Sequence, residues 1–535
     1  MQITCLGASR CVTGSNFLID NGRKYLVDCG LFQGGGQMER LNHGPWGFNP
    51  SQIEALFLTH THIDHSGRIP RLVKDGFRGK IYATGPTVEL ARILLLDSAH
   101  IQEMEARWQG IKNKRRGESA VEPLYRIEDA QACLPLFVAV KEDEVLPIDP
   151  DLTVAFHNAG HILGSSLLEI TGKGPEGDKR IVFSGDLGYI GHMILRPPAI
   201  LTRADVLFIE STYGNRNHKT IEASEQELLK AIRYSFEHGE KVLIPAFAVE
   251  RTQELLFMIG KFFREKLIPP MPVYLDSPLA IAATAIFRQM GQYYDSKTRA
   301  AMEAGNDPFD FESLVSTRST EESIEINKRP GPAIVIAGNG MCSAGRIRHH
   351  LKHNLWRPGC SLVIPGYQAA GTLGRSLVEG ARMVKILGER VIVRAKIFTI
   401  GGLSAHADQN GLIEWLGHFK NPAMRVYVIH GESTISEEFA GLVRQKFGFE
   451  VHVPSLGDRI TDSAAIEPGE KPAPIDSKAP APGACIAEIA QKADALKNLL
   501  DAAELPVHVL RRIEDEMLSA RAHLDEALQS AREKR

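Results

Sequence analysis

The run Thr59-His60-Thr61-His62-Ile63-Asp64-His65-Ser66-Gly67 follows directly on the apolar stretch Ala55-Leu56-Phe57-Leu58. It puts three imidazoles and one carboxylate into six residues at the end of a strand. Such tight spacing suits a loop wrapped around borderline cations that prefer nitrogen and oxygen donors. A lone histidine is ordinarily a core or surface residue, whereas four potential ligands in an HxHxDH pattern point to metal. The chain must therefore carry this loop on a sheet rim that other donors can reach.

Three later segments meet that need: Gly160-His161-Ile162, Ser184-Gly185-Asp186 and Ile429-His430-Gly431. Each sets a donor where a β-rich run ends, beside a glycine that lets backbones approach closely. The segments are expected to converge on one sheet edge.

The first two hundred residues alternate short β-rich runs with turn signals, among them Asn16 to Asp20, Tyr25 to Asp28, Leu152 to His157, Ser166 to Ile170, Arg180 to Ser184 and Val206 to Ile209. A helical pattern spans Val88 to Gln109, giving an α/β layout with mixed sheets. From Ser224 onward helix and strand alternate, which reads as a second, parallel α/β unit. After about Ala381 strands return with Arg390 to Ile400 and Arg425 to Ile429, assigned to the first unit, so the middle unit is an insertion.

Pro and Ala crowd Pro468 to Pro482, which reads as a linker. Two helices are expected beyond it. In the second, Leu510, Ile513, Met517, Ala520, Leu524 and Leu528 recur at three- and four-residue steps. That hairpin either packs on its own body or serves as a handle for a homodimer or another partner.

At 535 residues the chain exceeds one simple core, and 43% hydrophobic with 24% charged residues is an ordinary globular composition. No apolar run approaches the roughly 18 to 20 residues of a membrane span. Met1 leads straight into a strand-like segment, so a cytoplasmic protein without membrane association is expected. The seven cysteines lack CxxC pairs and argue against a disulfide framework. With a formal charge of -3, any nucleic-acid binding must come from a local basic groove.

The order Asp28, HxHxDH, His161, Asp186 and late His430 resembles the metallo-β-lactamase superfamily. That resemblance implies an αββα sandwich with all of these loops on one rim. It also implies two Zn2+ per chain, one held by His60, His62 and His161 and the other by Asp64, His65 and His430, with Asp186 and a hydroxide bridging them. Asp28 would accept a hydrogen bond from a ligand histidine and fix its tautomer. A pair of metals of this kind hydrolyses; it does not carry redox chemistry.

Ile209-Glu210-Ser211-Thr212-Tyr213-Gly214 and Leu403-Ser404-Ala405-His406-Ala407-Asp408 resemble the first two diagnostic motifs of the β-CASP nucleases, and His430 the third. Asp276-Ser277-Pro278, Gly338 to Arg346 and Gly366 to Thr372 match the same family. The expected fold class is thus α/β: the sandwich, an inserted parallel β-CASP domain and a C-terminal helical extension. The expected boundaries are 1–209 and 386–466 for the two parts of the sandwich, 210–385 for the insertion, 467–484 for the linker and 485–535 for the hairpin.

An imidazole at His406 held by Glu210 would stay protonated and could give a proton to a departing ribose oxygen. The resemblance makes Asp64, Glu210 and His406 the catalytic candidates. The loop before a helix at Gly338 to Arg346 offers Gly340, Ser343, Gly345 and Arg346 as a phosphate cradle, with Ser404 a further RNA contact. A tight structural turn is the rival reading of that loop.

Histidine at the third diagnostic position goes with RNA in this family, so single-stranded RNA is the expected partner. The bacterial relatives of the polyadenylation-factor endonuclease are the branch most resembled. An endonucleolytic zinc-dependent ribonuclease is expected. A 5′ exonuclease, a dual endo/exo enzyme and a non-catalytic RNA-processing scaffold are the alternatives.

Overall fold

Side chains alternate in direction along a strand, and where both directions are apolar the sheet must be covered twice. In the strand Lys24–Val27, Tyr25 and Val27 enter one core and Leu26 another. In Val206–Glu210, Val206 and Phe208 turn one way and Leu207 and Ile209 the other. Both strands therefore belong to sheets packed on two faces. The computed structural model describes residues 1–173, 177–189, 191–369, 371–461 and 466–468.

Among these residues the first sheet has eight strands, with Gln2–Cys5, Phe17–Asp20, Lys24–Val27, Ile53–Phe57, Lys80–Thr84 and Phe137–Val140 in spatial order. The second has seven, running from Glu450–His452 through Arg425–Ile429, Val206–Glu210, Lys179–Phe183 and Ser166–Gly172 to Leu152–Asn158 and Val145–Asp149. Between them Phe17, Phe57, Phe183, Phe208 and Tyr427 fill one core. Phe183 and Phe208 stack with ring centroids 4.5 Å apart. Each such aromatic ring stabilises the sandwich by about 1.5–3 kcal/mol through burial.

Leu26 and Leu56 on the outer face of the first sheet pack with Leu72, Ala91 and Leu95 of the helices Ile69–Lys74 and Gly85–Arg116. Leu207, Ile209 and Val428 on the far face of the second sheet pack with Leu412, Phe439 and Val443 of Gln409–Leu416 and Ser433–Phe447. The result is the expected αββα sandwich.

A third sheet of six strands carries the inserted unit, ordered Leu314–Ser316, Val273–Asp276, Ala333–Ala337, Lys241–Pro245, Ser361–Ile364 and Lys396–Thr399, with every pairing parallel. Val242 and Ile244 enter the core on one face and Leu243 that on the other. The chain leaves the second sheet at Glu210 and returns beside it, because Arg425–Ile429 pairs in parallel with Val206–Glu210.

One expectation is corrected. Arg390 to Ile400 is not a single strand returning to the sandwich. Glu389–Ile392 forms a hairpin with Met383–Ile386, and Lys396–Thr399 joins the edge of the inserted sheet. Between them the N–H groups of Arg394 and Ala395 both donate to the Leu355 carbonyl, which bends the chain out of a single strand. The first sheet extends through Ile466–Glu467, so Glu467, where the linker is expected to begin, still belongs to a strand. The rest of the expected linker, the helical hairpin and any homodimer contact through it lie outside the described residues, apart from residue 468. No described helix is long and apolar enough to cross a membrane.

Candidate metal centre

The donors sit where strands stop. Ile53–Phe57 delivers His60, His62, Asp64 and His65; Leu152–Asn158 delivers His161; Lys179–Phe183 delivers Asp186; and Arg425–Ile429 delivers His430. Close backbone approach lets these loops converge. A Cβ on Gly30 would lie 1.6 Å from the carbonyl oxygen of Asp64, and one on Gly188 would lie 1.8 Å from that of Gly160.

Four donors placed tetrahedrally at about 2.0–2.2 Å from one cation lie roughly 3.3–3.6 Å from each other. His62 Nδ1 is 3.2 Å from His60 Nε2 and 3.2 Å from His161 Nε2. Asp186 Oδ2 is 3.4 Å from His60 Nε2 and 3.5 Å from His161 Nε2. These four residues thus have the separations of a tetrahedral site.

A second group shares Asp186 through its other oxygen. His65 Nε2 lies 3.2 Å from His430 Nε2 and 3.3 Å from Asp186 Oδ1, and His430 Nε2 lies 3.6 Å from Asp64 Oδ2. Asp186 Oδ1 is buried with no hydrogen-bond donor, and imidazole nitrogens that face one another without a proton repel. A cation in each group would remove both penalties, so the residues fit two metals and Asp186 is placed to bridge them. Asp186, Glu210 and His430 also offer atoms within 4.8 Å of one another, but the oxygens of Glu210 already have other partners.

Charge and burial act against each other here. Burial, with the nearby His60, pushes His62 down to about 3. Burial also disfavours charge on His65, but Asp186 and Asp28 outweigh it and push His65 well above its ordinary range. For Asp186, His430 and His65 overcome burial and hold the carboxylate well below the usual range. The surrounding histidines thus keep Asp186 ionised, and the carboxylates in turn favour on His65 a second proton that a bound cation would displace.

Asp28 is buried and turned onto the same loop. Its Oδ2 lies 2.7 Å from His65 Nδ1 and accepts from the Ser15 hydroxyl at 3.0 Å, and its Oδ1 accepts from the Thr59 N–H at 2.9 Å. This fixes the His65 proton on Nδ1 and leaves Nε2 free to ligate. Asp28 and His430 both take left-handed backbone angles, φ 58 and φ 47, at a cost of about 1–3 kcal/mol each. Sequence reasoning missed Ser15, Thr59 and Thr212. The hydroxyl of Thr59 lies 3.1 Å from His60 Nδ1, and that of Thr212 lies 3.1 Å from His430 Nδ1. Adjacency to His60 and Glu210 was the available signal.

Glu210 ends its strand fully buried and accepts from the Leu187 N–H at 2.7 Å. The same Oε1 lies 3.1 Å from His406 Nδ1, and His406 Nδ1 lies 3.9 Å from Asp186 Oδ2. Burial opposes a charge on His406, but Glu210 and Asp186 outweigh it and raise the imidazole to about 9. A ring that its acidic neighbours favour protonating, about one-fifth exposed at 21%, thus stands beside the metal centre.

The expected phosphate cradle has other commitments. Asn339 Oδ1 accepts from the N–H groups of Met341 and Ser343, and the Cys342 N–H donates to the Asn339 carbonyl. Arg346 donates to Asp276 at 2.7 Å and to the carbonyls of Thr317 and Arg318. Gly345 takes φ 73 and passes so close to the Gly338 carbonyl that a Cβ would come within 2.3 Å. Among the described residues Gly340, Ser343, Gly345 and Arg346 make no hydrogen bond or ion pair with the metal-centre residues. The loop has the geometry of the tight turn. Ser404 lies closer to the site, its hydroxyl 3.5 Å from the His406 carbonyl.

Three family models match the chain. They are the metallo-beta-lactamase superfamily over residues 10–246, the Beta-Casp domain over 252–377 and the Zn-dependent metallo-hydrolase RNA specificity domain over 390–454. The chain is 38% identical over 461 residues to Ribonuclease TTHA0252 of Thermus thermophilus, which covers 86% of this chain and 100% of that relative. It is 31% identical over 461 residues to the transcription termination factor FttA of Methanosarcina mazei, with 84% of this chain and 70% of the relative covered.

Proposed function

The chain belongs to the β-CASP ribonuclease family of the metallo-β-lactamase superfamily, and on that basis we propose that it is a zinc-dependent endoribonuclease that hydrolyses phosphodiester bonds of single-stranded RNA. The observation that carries this reading is the double set of donors sharing Asp186, with His406 held beside it by Glu210.

His60, His62, His161 and Asp186 would hold one zinc, and Asp64, His65, His430 and Asp186 the other; a donor set this rich in histidine suits zinc. When bound, such a pair lowers the pKa of water and stabilises negative charge on a phosphate in flight. Asp28 holds His65 by its Nδ1 proton, and Thr212 steadies His430, so both rings keep their ligating nitrogens aimed inward. Glu210 holds His406 by Nδ1, which leaves the Nε2 proton for the departing oxygen. Proton donation at that atom is the step His406 performs.

One comparison supports ribonuclease activity, and one structural feature supports internal cutting. The match to the ribonuclease relative runs the whole length of that protein, whereas the FttA relative extends beyond the matched region. An exonuclease that counts from a 5′ end needs a pocket for the terminal phosphate. In the loop best suited to that role, the N–H groups are turned onto Asn339 and Arg346 onto Asp276.

The test is incubation of the protein, with its bound metal quantified, with 5′-labelled single-stranded RNA and matched DNA, alongside the double variant Asp64→Ala/His65→Ala. Internal RNA fragments that disappear in the variant are expected. Mononucleotides alone would move the reading to an exonuclease, and intact RNA in the presence of bound zinc would overturn it.

A further inference from the structure

Beyond the metal centre a line of rings leads from His406 to the surface. Tyr213, three residues after Glu210, has its ring centroid 6.0 Å from that of His406. His218 packs edge-on against Tyr213 at 4.6 Å, with its Nε2 3.2 Å from the His406 carbonyl, and so ties the ring to the loop bearing His406. The guanidinium of Arg216 lies 4.7 Å from the Tyr213 ring centroid and 5.8 Å from that of Tyr367 in the inserted unit. Arg216 pairs with no carboxylate among the described residues.

The line continues past Tyr367. The Gln368 side-chain amide donates to the Tyr367 carbonyl at 3.1 Å and to the Gly340 carbonyl at 3.0 Å. Gly340 faces Phe247 so closely that a Cβ would stand 3.0 Å from its ring. Tyr367 is 48% exposed and Phe247 49%. Single exposed rings are ordinary on a protein surface. Tyr367 is joined through the Gln368 amide to Gly340, against which Phe247 packs, and through a guanidinium to the ring beside His406, so the two half-exposed rings are connected and not scattered.

Bases stack on aromatic faces whatever their identity, and a guanidinium adds cation–π attraction and a charge for the backbone. A protein with a net charge of -3 gains no long-range pull on a polyanion, so local contacts must supply the affinity, and stacking on exposed rings adds to whatever local basic groups contribute. Taking the ribonuclease reading as given, we propose that Tyr367 and Phe247 form a stacking platform for unpaired bases of the RNA strand, with Arg216 steadying Tyr367. The platform seats the nucleotides on one side of the scissile phosphate and selects single strands without reading sequence.

The test is fluorescence anisotropy of a short labelled single-stranded RNA, with phosphorothioate linkages to slow its hydrolysis, titrated with the metal-loaded protein. Tyr367→Ala and Phe247→Ala should each raise Kd roughly 5- to 150-fold, while Tyr367→Phe stays within about 2-fold. An RNA backbone with abasic residues should bind all the proteins alike, since it has nothing to stack. Alanine variants that bind the base-bearing RNA as tightly as the parent would overturn the platform, even if the parent cleaves RNA. A parent that cleaves no RNA but loses affinity in the alanine variants would overturn the ribonuclease reading and leave the platform standing.

Discussion

The Nε2 of His192 lies 3.1 Å from Oε1 of Glu250, joining a loop of the sandwich to the residue that caps the helix Arg251–Arg264 of the inserted unit. Glu254 comes within 3.3 Å of the same nitrogen, and Arg251 within 3.1 Å of Glu254. The other oxygen of Glu250 accepts from the Leu163 N–H at 3.2 Å, two residues past His161. A buried charge cluster thus braces the loop that carries a candidate metal ligand. His192 Nδ1 accepts from the N–H groups of Ile194 and Leu195, which puts the imidazole's ordinary proton on Nε2, toward the acids.

His192→Ala would leave Glu250 and Glu254 buried with Arg251 as the remaining cation. Removing one partner of a buried pair costs about 3–5 kcal/mol, because the remaining charge is uncompensated. Urea unfolding should show a loss of that size. A loss below about 1 kcal/mol would mean that water or Arg251 already satisfies the acids.

The same cluster predicts a pH dependence. Burial lowers the His192 pKa, but Glu250 and Glu254 outweigh it and raise the imidazole to about 10. The folded value lies above the unfolded value of about 6.5, so the contribution to stability is complete below about pH 6.5 and fades as pH rises toward 10. Stability measured across that window should fall in the parent and change less in His192→Ala. Parallel curves for the two proteins would contradict the assignment.

His406→Ala should keep its metals, since His406 lies outside both donor groups, while cleavage slows by about 10²- to 10⁴-fold. Single-turnover cleavage and elemental analysis of the same preparation check both halves. Equal loss of metal and activity would make His406 a ligand instead.

Asp186 contributes one oxygen to each donor group, so Asp186→Ala should lose metal and turnover together. Asp28→Ala acts only through His65 and the Thr59 loop, and should weaken metal affinity by about 10- to 100-fold. Competition with a chromogenic chelator measures both. Full metal content in Asp186→Ala would remove the bridging role.

Chelation should lower Tm and added Zn2+ should restore it, because a ligand that binds only the folded state at about a thousandfold over its Kd stabilises by about 4 kcal/mol. The same addition to Asp186→Ala should leave Tm unmoved.

The donor set was legible because each member ends a strand, and HxHxDH packs four donors into one turn that few other structures could use. Glu210 and His406 were legible only through family resemblance, since residues 196 apart carry no local signal of contact. The strand Lys396–Thr399 was misassigned because an apolar run does not record which of two sheets it will join. The commitments of Arg346 were hidden from the sequence for a related reason. A basic residue after a glycine-rich loop reads as a phosphate ligand until the buried carboxylate of Asp276, seventy positions earlier, is found against it.

The sequence by itself determined which side chains could bind metal and the order in which they occur, because the chemistry of imidazole and carboxylate and the length of a strand are local properties. Only the tertiary structure decided that Asp186 offers one oxygen to each group, that Arg346 is held by Asp276, and that Arg216 stands between the rings of Tyr213 and Tyr367. Apart from the local Tyr213–Arg216 contact, those are distances between residues far apart in the chain, and they are set by how the sheets close on one another.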